Sequence, residues 1–345
     1  MRFLLNFSIF TSLTLAGLSF FPAIAVAQCA PDEQDPVIII DDGDGDTGIA
    51  SAALARPAAS SVCLQSGRAA AILGDQPDLL TRRDMRNVGD LATQGGTDDG
   101  GFGGPIWANI SGRRAELNDN TLDTATVSIG GDVWSNDSTI IGIMLQGDTA
   151  EQDGVTTNSF EATGYMAGIY GIYQVTDFTF DGRIMAGQSE NDVIDGGDRT
   201  DGVESTRWLA TLQISSQREL AGGTWFLPRV SLGWLEDTMD AYTIGTDDIE
   251  EQIVSYGQAD IGANVLVPVN FGGTDGNVIL GASGIFAFGE DADSQVPPDL
   301  RGRVDLGLEL FGSETWSVSG KVFADGFGDE DYVSAGADLG VMIWF

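Results

Sequence analysis

The stretch Val333–Phe345, VSAGADLGVMIWF, decides the fold class of this chain. Apolar residues occupy every second position of the stretch, and most of the positions between them are polar or small. Because successive side chains of a β-strand point to opposite faces, this alternation predicts a strand with one apolar face. Such a strand suits either the edge of a soluble sandwich or the wall of a membrane barrel.

The amino terminus has the pattern of an export signal. Arg2 precedes an apolar run from Phe3 to Ile24, and Ala25-Val26-Ala27 supplies the small residues that a signal peptidase requires. We therefore predict a signal peptide over residues 1–27 and a mature chain that starts at Gln28. No second long apolar stretch follows, which excludes an inner-membrane helical protein.

Charge and cysteine content narrow the compartment and the partners. The formal net charge is -36, and Lys321 is the only lysine, so nucleic acid is excluded as a partner. The acidity suits either solubility in a salty habitat or the collection of divalent cations at the surface. Cys29 and Cys63 are the only cysteines, and an exported pair in an oxidising compartment predicts one structural disulfide.

Two segments precede the strands. Residues 28–66 lack sustained periodicity and are rich first in Pro, Asp and Gly and then in Ala and Ser, which predicts a short acidic disordered passenger or linker. Asp41–Asp46 resembles a calcium loop, but the bidentate acid that such a loop needs is missing. Residues 67–104 predict a helical plug segment, interrupted between Gly74 and Pro77, and then a Gly-rich hinge.

Residues 105–345 predict strand after strand. About twelve segments of period two begin near Ile106, Thr124, Ser138, Phe160, Thr176, Val203, Thr224, Gln252, Val278, Arg301, Thr315 and Tyr332. An even number of strands suits a closed bacterial barrel. Each predicted strand has an apolar face, which suits lipid, and a polar face, which suits a water-filled lumen. The carboxylates that we expect in the lumen are Asp181, Asp260, Asp305, Glu309 and Asp338.

The connections favour the membrane barrel over the sandwich. Alternate connections are short and the others are long and acidic, with Arg199 as the only basic residue of the long ones: 116–123, 148–159, 188–204, 236–251, 289–300 and 325–331. Short turns at one rim and long polar loops at the other are typical of outer-membrane barrels. We therefore predict an all-β, transmembrane, antiparallel up-and-down barrel of about twelve strands.

The barrel resembles the translocator domain of the autotransporter (type V secretion) family. The residues that carry the resemblance are Ile106-Trp107, Ser111-Gly112, Ser128-Ile129-Gly130-Gly131-Asp132, Gly164-Tyr165, Gly168-Ile169-Tyr170 and Ile343-Trp344-Phe345. These motifs are short, and the similarity covers about residues 67–345. It implies a twelve-stranded barrel with a helix inside the lumen before the first strand.

The resemblance also implies site residues. The stretch Thr81–Leu91 is placed like the lumen helix of the family. If it occupies the lumen, we expect Arg82, Arg83 and Arg86 to meet carboxylates inside the barrel; the alternative is that they lie on a solvated helix face in the periplasm. Self-cleaving members have an asparagine pair where this chain has Arg82 and Arg83, so intramolecular release is not implied. The carboxyl-terminal strand is similar to the sorting signal of bacterial outer-membrane barrels, with Leu339, Val341, Ile343 and Phe345 as its apolar residues.

Enzymatic activity is not expected. The chain has no histidine, which removes the usual base of barrel proteases, phospholipases and serine hydrolases. Two cysteines without histidine cannot complete a usual zinc site, and we predict no catalytic residues, cofactor or metal.

The function expected is that of an outer-membrane autotransporter-type barrel that exports and anchors its own amino-terminal segment. A small cation-preferring porin-like channel and a surface adhesive barrel with acidic loops are the alternatives. The expected partners are outer-membrane lipid, lipopolysaccharide, the barrel-assembly machinery and periplasmic chaperones, and the barrel is expected to be a monomer.

Overall fold

The computed structural model describes residues 56–77, 101–102, 104–117, 120–153, 159–195, 197–290, 300–312, 315–328 and 332–345. One helix, α1 (Arg56–Gly74), precedes the strands. The twelve long strands are β1 (Ile106–Leu117), β2 (Asn120–Ser135), β3 (Thr139–Asp153), β4 (Ser159–Val175), β5 (Phe178–Asp195), β6 (Asp198–Ser216), β7 (Trp225–Met239), β8 (Gln252–Phe271), β9 (Thr274–Glu290), β10 (Leu300–Gly312), β11 (Trp316–Phe327) and β12 (Tyr332–Ile343).

The strands close into a barrel. Each pairs antiparallel with its sequence neighbours. The last strand, β12, pairs with the first, β1, from Ile343 opposite Ile106 to Tyr332 opposite Leu117. Closure leaves no strand edge of the barrel unpaired, as a lipid environment requires. The predicted twelve-stranded up-and-down barrel is confirmed.

Four short strands accompany the barrel. Gly101–Phe102 pairs with the end of β2, and Arg218–Glu219 pairs with the start of β7. Tyr242–Ile244 and Asp247–Ile249 pair with each other, in the connection between β7 and β8. This connection is therefore a small hairpin of its own.

Side chains alternate between a lipid face and the lumen. On β3, Ile143 and Leu145 point outward and are each 58 % exposed, whereas Gln146 and Asp148 point inward and are buried. The outward apolar side chains are stable there because their solvent is hydrocarbon, and the inward polar ones face each other across the lumen. The terminal strand follows the same rule, with Leu339 exposed and Ser334 buried.

The two rims differ. The turn rim holds Ile106, Trp344 and the connections 136–138, 176–177, 217–224 and 272–273. The hairpin rim lies at the other end, where β1, β3, β5 and β7 finish.

The sequence predicts long loops at the hairpin rim, and three of these predictions are wrong. Segments 116–123, 148–159 and 188–204 lie largely in paired strands; in the last of them, β5 continues to Asp195 and β6 begins at Asp198. The hairpins extend beyond the apolar band, and both of their faces carry polar residues there. The apolar alternation disappears from the sequence although the backbone pairing continues.

α1 begins earlier than predicted. The predicted disordered segment extends to residue 66, but the helix already begins at Arg56 and ends at Gly74, next to the predicted interruption. Pro57 at the first turn and the alanines that follow favour helix. Residues 1–55 and 78–100, which include Cys29 and the arginines predicted for the lumen helix (Arg82, Arg83 and Arg86), lie outside the described residues, so the disulfide and these arginine contacts stay predictions.

Thr176 lies in a tight turn at a position that favours glycine. It has φ 53° in the two-residue connection between β4 and β5, where a type II′ hairpin turn requires glycine. Replacing Thr176 with glycine should stabilise the barrel by about 1 kcal/mol, because a β-branched residue is strained at positive φ. Urea unfolding of the barrel in detergent micelles would measure this gain.

Gly272 provides the matched control for Thr176. It has φ 61° in the two-residue connection between β8 and β9. Gly272→Thr should therefore destabilise the barrel by about the same 1 kcal/mol. Equal unfolding midpoints for both variants and the parent would show that these turns carry no strain.

Candidate functional site: the lumen and its helix

α1 lies inside the barrel. Gln65 Nε2 donates to Met239 Sδ on β7 at 2.8 Å, and Arg303 on β10 donates to the carbonyl oxygen of Gly74 at 3.3 Å. Just after the helix, Gln76 Nε2 donates to Gln146 Oε1 on β3 at 3.2 Å. Contacts with strands on different sides of the barrel require a position in the lumen. A lumen helix is therefore present, formed by α1, whereas the stretch Thr81–Leu91 lies outside the described residues and its place in the lumen stays a prediction.

A buried charge network holds the first half of the helix. Arg68 Nη2 lies 2.5 Å from Asp148 Oδ2 on β3, and Arg207 Nη1 on β6 lies 2.9 Å from Asp148 Oδ1. Arg68 also donates to Asn191 Oδ1 on β5 at 3.0 Å. At most 2 % of the side-chain surface of Arg68, Asp148 and Arg207 is exposed. Asp148 thus lies between a helix cation and a wall cation away from solvent, and Asp237 lies 3.9 Å from the same wall cation, Arg207.

Gly164 makes room for this network. A Cβ at Gly164 would lie 2.2 Å from Arg207 Nη2 and 2.8 Å from Arg68 Nη2. A side chain here would therefore displace two buried guanidinium groups at once. This glycine belongs to the Gly164-Tyr165 motif of the sequence, whose role the sequence alone does not reveal.

A second network holds the end of the helix. Asp75 Oδ1 accepts from Arg113 Nη2 on β1 at 2.7 Å, and Arg113 Nη1 lies 3.6 Å from Asp325 Oδ2 on β11. Arg301 on β10 pairs with the same Asp325 at 3.0 Å. The Arg113 guanidinium also lies 4.8 Å from the centre of the Phe323 ring, a cation–π distance. The two networks fix α1 at two levels of the barrel.

The contacts define the direction of α1. A Cβ at Gly67 would lie 3.0 Å from Leu122, near the hairpin rim. A Cβ at Gly233, deeper in the barrel, would lie 2.9 Å from Leu73. The amino terminus of α1 therefore points toward the hairpin rim, and its carboxyl terminus lies deeper in the lumen.

The predicted lumen carboxylates line the barrel, and bases of the wall accompany them. The ion pairs are Arg183 with Asp181 at 3.1 Å, Arg229 with Asp260 at 3.3 Å, Arg303 with Asp305 at 3.0 Å and Lys321 with Asp338 at 3.3 Å. Glu309 is also fully buried. The inward direction of these five acids is as predicted. Most of the basic residues of the described barrel thus point into the lumen, although the chain as a whole is acidic.

Three motif residues from separate strands meet near the turn rim. Trp107 Nε1 donates to Tyr170 Oη at 3.1 Å, and Tyr170 Oη donates to Asp132 Oδ1 at 2.5 Å. The two rings meet edge to face, with centroids 5.9 Å apart. Gly130 leaves the space that the Trp107 indole fills, because a Cβ there would lie 2.4 Å from the ring. Three of the short motifs of the sequence thus contribute side chains to one packed layer of the lumen.

The predicted sorting-signal residues share the outer face of the carboxyl-terminal strand. Leu339, Val341 and Ile343 point outward on β12, and Phe345 follows the strand with 91 % of its surface exposed. The side chains between them point inward, among them Met342, which is fully buried. These four apolar residues are therefore accessible from the lipid side. Whether a partner recognises them stays a prediction.

Arg68 and Asp75 are the functional residues that the sequence analysis missed. They are the only charged residues between Arg56 and Arg82 apart from Asp78, and they flank an otherwise uncharged helical run. Isolated charged residues in such a run indicate a helix inside a barrel, because such a helix needs only a few charged side chains that can pair with the wall. Among the described residues, no group of three His, Cys, Asp or Glu side chains could hold a metal ion. No helix of the described chain is long and apolar enough to cross a membrane.

Comparison with known proteins identifies the family. The family description "Autotransporter beta-domain" matches residues 106–322, well over half of the chain. The chain belongs to this autotransporter family. It is a transport barrel of the bacterial outer membrane, as the resemblance of its motifs implied.

Solved autotransporter structures share the fold. The translocator domain of NalP from Neisseria meningitidis is 12 % identical, with a TM-score of 0.62 over 83 % of this chain and 99 % of that chain. The β-domain of the Bordetella autotransporter BrkA is 14 % identical, with a TM-score of 0.59 over 71 % of this chain and 100 % of that chain. The transport unit of AIDA-I from Escherichia coli is 15 % identical, with a TM-score of 0.57 over 82 % and 99 %. No curated protein matches the sequence.

Proposed function

We propose that this autotransporter barrel carries its own short amino-terminal segment, residues 28–55, to the cell surface and then keeps it attached through α1. The observation that carries the proposal is the direction of the helix. α1 lies in the lumen with its amino terminus toward the hairpin rim, and both buried charge networks hold it there. A segment that precedes such a helix continues toward that rim.

The orientation of the barrel supports the outward direction. Outer-membrane barrels have short turns in the periplasm and longer connections outside. Here both ends of the barrel chain and the short turns lie at the turn rim, so the turn rim faces the periplasm. The hairpin rim then faces the outside of the cell.

The composition of the segment suits display in water. Residues 28–55 carry seven acids and no basic residue: Asp32, Glu33, Asp35, Asp41, Asp42, Asp44 and Asp46. A segment with this composition cannot bury enough apolar surface to fold alone. We propose that it is a short acidic tether on the cell surface rather than a folded cargo domain.

The porin-like alternative has less support. The lumen of a twelve-stranded barrel is narrow, and α1 lies within it. A diffusion channel would require this helix to leave its buried ion pairs. Export followed by anchoring requires no such movement, because the helix anchors the segment from its position in the lumen.

Assembly requires further partners. We propose that a signal peptide over residues 1–27 directs export, and that periplasmic chaperones and the barrel-assembly machinery receive the chain through the outward face of its last strand. Leu339, Val341, Ile343 and Phe345 are the side chains available for this recognition. Outer-membrane lipid and lipopolysaccharide then surround the apolar band.

Protease shaving of intact cells tests the export proposal. An epitope tag placed directly after Cys29 should be removed by protease from intact cells, while the barrel remains in the membrane as a folded band on a gel without boiling. A periplasmic protein that stays uncut in the same cells controls for lysis. Protection of the tag until the outer membrane is broken would place the segment in the periplasm and refute the proposal.

A further inference from the structure

An apolar cluster lies in the lumen at the hairpin rim and spans eight of the twelve strands, β12 and β1–β7. Nine buried side chains from eight strands form this mouth collar: Ala115, Leu122, Ala150, Phe160, Ala162, Val193, Val203, Met239 and Tyr332. The collar reaches α1, because Gln65 donates to Met239 and Gly67 lies against Leu122. Apolar constrictions of this kind close pores by excluding water.

The connection between β7 and β8, residues 240–251, adds to the collar. Tyr242, Ile244 and Ile249 are at most 9 % exposed and belong to the same continuous apolar cluster as the collar. Thr243 and Asp248 lie on the opposite face of the small hairpin, are exposed, and hydrogen-bond to each other at 2.9 Å. The hairpin is thus two-faced, with its apolar face turned into the mouth.

Hydrogen bonds attach the lid hairpin, residues 240–251, to β6. Thr200 Oγ1 on β6 donates to the carbonyl oxygen of Thr243 at 2.6 Å, and the backbone N–H of Asp240 donates to the carbonyl of Glu204 at 2.9 Å. Its own backbone pairing is internal, from Tyr242 opposite Ile249 to Ile244 opposite Asp247. It can therefore leave the mouth as a unit without breaking its own ladder, by giving up the hydrogen bonds to Thr200 and Glu204.

We propose that the lid hairpin is a two-position lid, which leaves the mouth while the amino-terminal segment is exported and afterwards closes by burying Tyr242, Ile244 and Ile249 in the mouth collar around α1. In its closed position the lid fills part of the mouth. A chain in transit needs that space, whereas a single docked helix does not. The proposal rests on the export function proposed above and adds a moving part to it.

A disulfide between the lid and β6 can test the need for opening. A Cβ built on Gly245 lies 3.6 Å from the Cβ of Asp198 on β6. This spacing falls within the about 3.5–4.5 Å that disulfides use. In a background with Cys29→Ser and Cys63→Ser, the double variant Asp198→Cys, Gly245→Cys should lock the lid closed under oxidising growth.

The readout is the surface exposure of the tag described above, placed after position 29. Locking the lid should reduce exposure in proportion to the cross-linked fraction, and dithiothreitol in the growth medium should restore it. Each single cysteine variant is the matched control and should export normally. Full exposure of the tag in cross-linked protein would overturn the lid proposal, whereas absence of the tag from the surface in the parent would refute export itself.

A second variant tests closure without relying on export. Gln65 is 1 % exposed and lies beside Met239, directly before the lid. In the same cysteine-free background, Gln65→Cys should resist a water-soluble maleimide while the lid is closed. Replacing Tyr242, Ile244 and Ile249 with serine should make the cysteine reactive, and Thr243→Ala with Asp248→Ala on the outer face should not. Equal labelling in all three proteins would overturn the proposal.

Discussion

Asp148→Ala should release α1 from the lumen and lower the stability of the barrel by about 3–5 kcal/mol. Asp148 pairs with Arg68 of the helix at 2.5 Å and with Arg207 of β6 at 2.9 Å, and all three side chains are almost fully buried. Without this carboxylate two buried guanidinium groups are left with Asp237, whose Oδ2 lies 3.9 Å from Arg207 Nε, so one positive charge loses its partner away from water. A helix that leaves the lumen regains water around Arg68.

Trypsin provides a direct measurement of this release. Arg68 is buried inside the barrel, so the parent should resist cleavage after this residue. In Asp148→Ala the helix should be cut there, and the midpoint of urea unfolding in detergent should fall. Arg68→Met should have a smaller effect, because Asp148 and Asp237 both keep Arg207 as a partner.

An exposed ion pair on the same barrel supplies the control. Asp123 lies 3.4 Å from Arg114, with 52 % and 62 % of the two side chains exposed. Exposed pairs contribute about 0–1 kcal/mol, so Asp123→Ala should leave unfolding and trypsin resistance close to the parent. Should Asp148→Ala resemble Asp123→Ala in both assays, the buried network would have no part in holding the helix.

The barrel was predictable because lipid imposes a simple rule on its outer face. Every outward position of the membrane band is apolar or small, so strands can be read from a period of two. Predicted and observed starts agree closely for Ile106, Gln252 and Tyr332, and differ most for β2, β6 and β9. These three strands begin before their apolar alternation does: β2 and β6 start in the polar hairpins outside the membrane, and β9 starts beside the turn at 272–273.

The part of α1 from Gly67 onward was predicted as helix, whereas its first half was assigned to the linker. A helix is recognised from sequence by an apolar stripe on one side. The described side chains of α1 are buried on all sides, from Gln65 and Arg68 to Leu73, because the barrel wall surrounds the helix. A helix in this setting does not need a one-sided stripe, and residues 56–66, which are rich in Ala and Ser, resemble a linker. Partners such as Asp148 and Arg113 lie on strands distant in sequence, so the ion pairs could not be predicted without the register.

Gly130→Val should impair barrel folding by about 3 kcal/mol or more, because it combines overpacking with lost hydrogen bonds. A Cβ at Gly130 would lie 2.4 Å from the Trp107 ring and 2.8 Å from the carbonyl oxygen of Ile143. Trp107 has no exposed surface and cannot move outward. Displacing its indole breaks the bond to Tyr170 and disturbs the pairing of Tyr170 with Asp132.

The neighbouring glycine separates this packing effect from a general intolerance of valine in the strand. At Gly131 the nearest atoms to a Cβ are Ile106 Cγ1 and the carbonyl oxygen of Pro105, both at an ordinary 3.6 Å. Gly131→Val should therefore fold nearly as well as the parent. The fraction of barrel that stays folded on an unheated gel, and the urea midpoint, should fall for Gly130→Val only. Equal losses in both variants would mean that glycine serves strand flexibility here, and that the Trp107–Tyr170–Asp132 layer contributes little to folding.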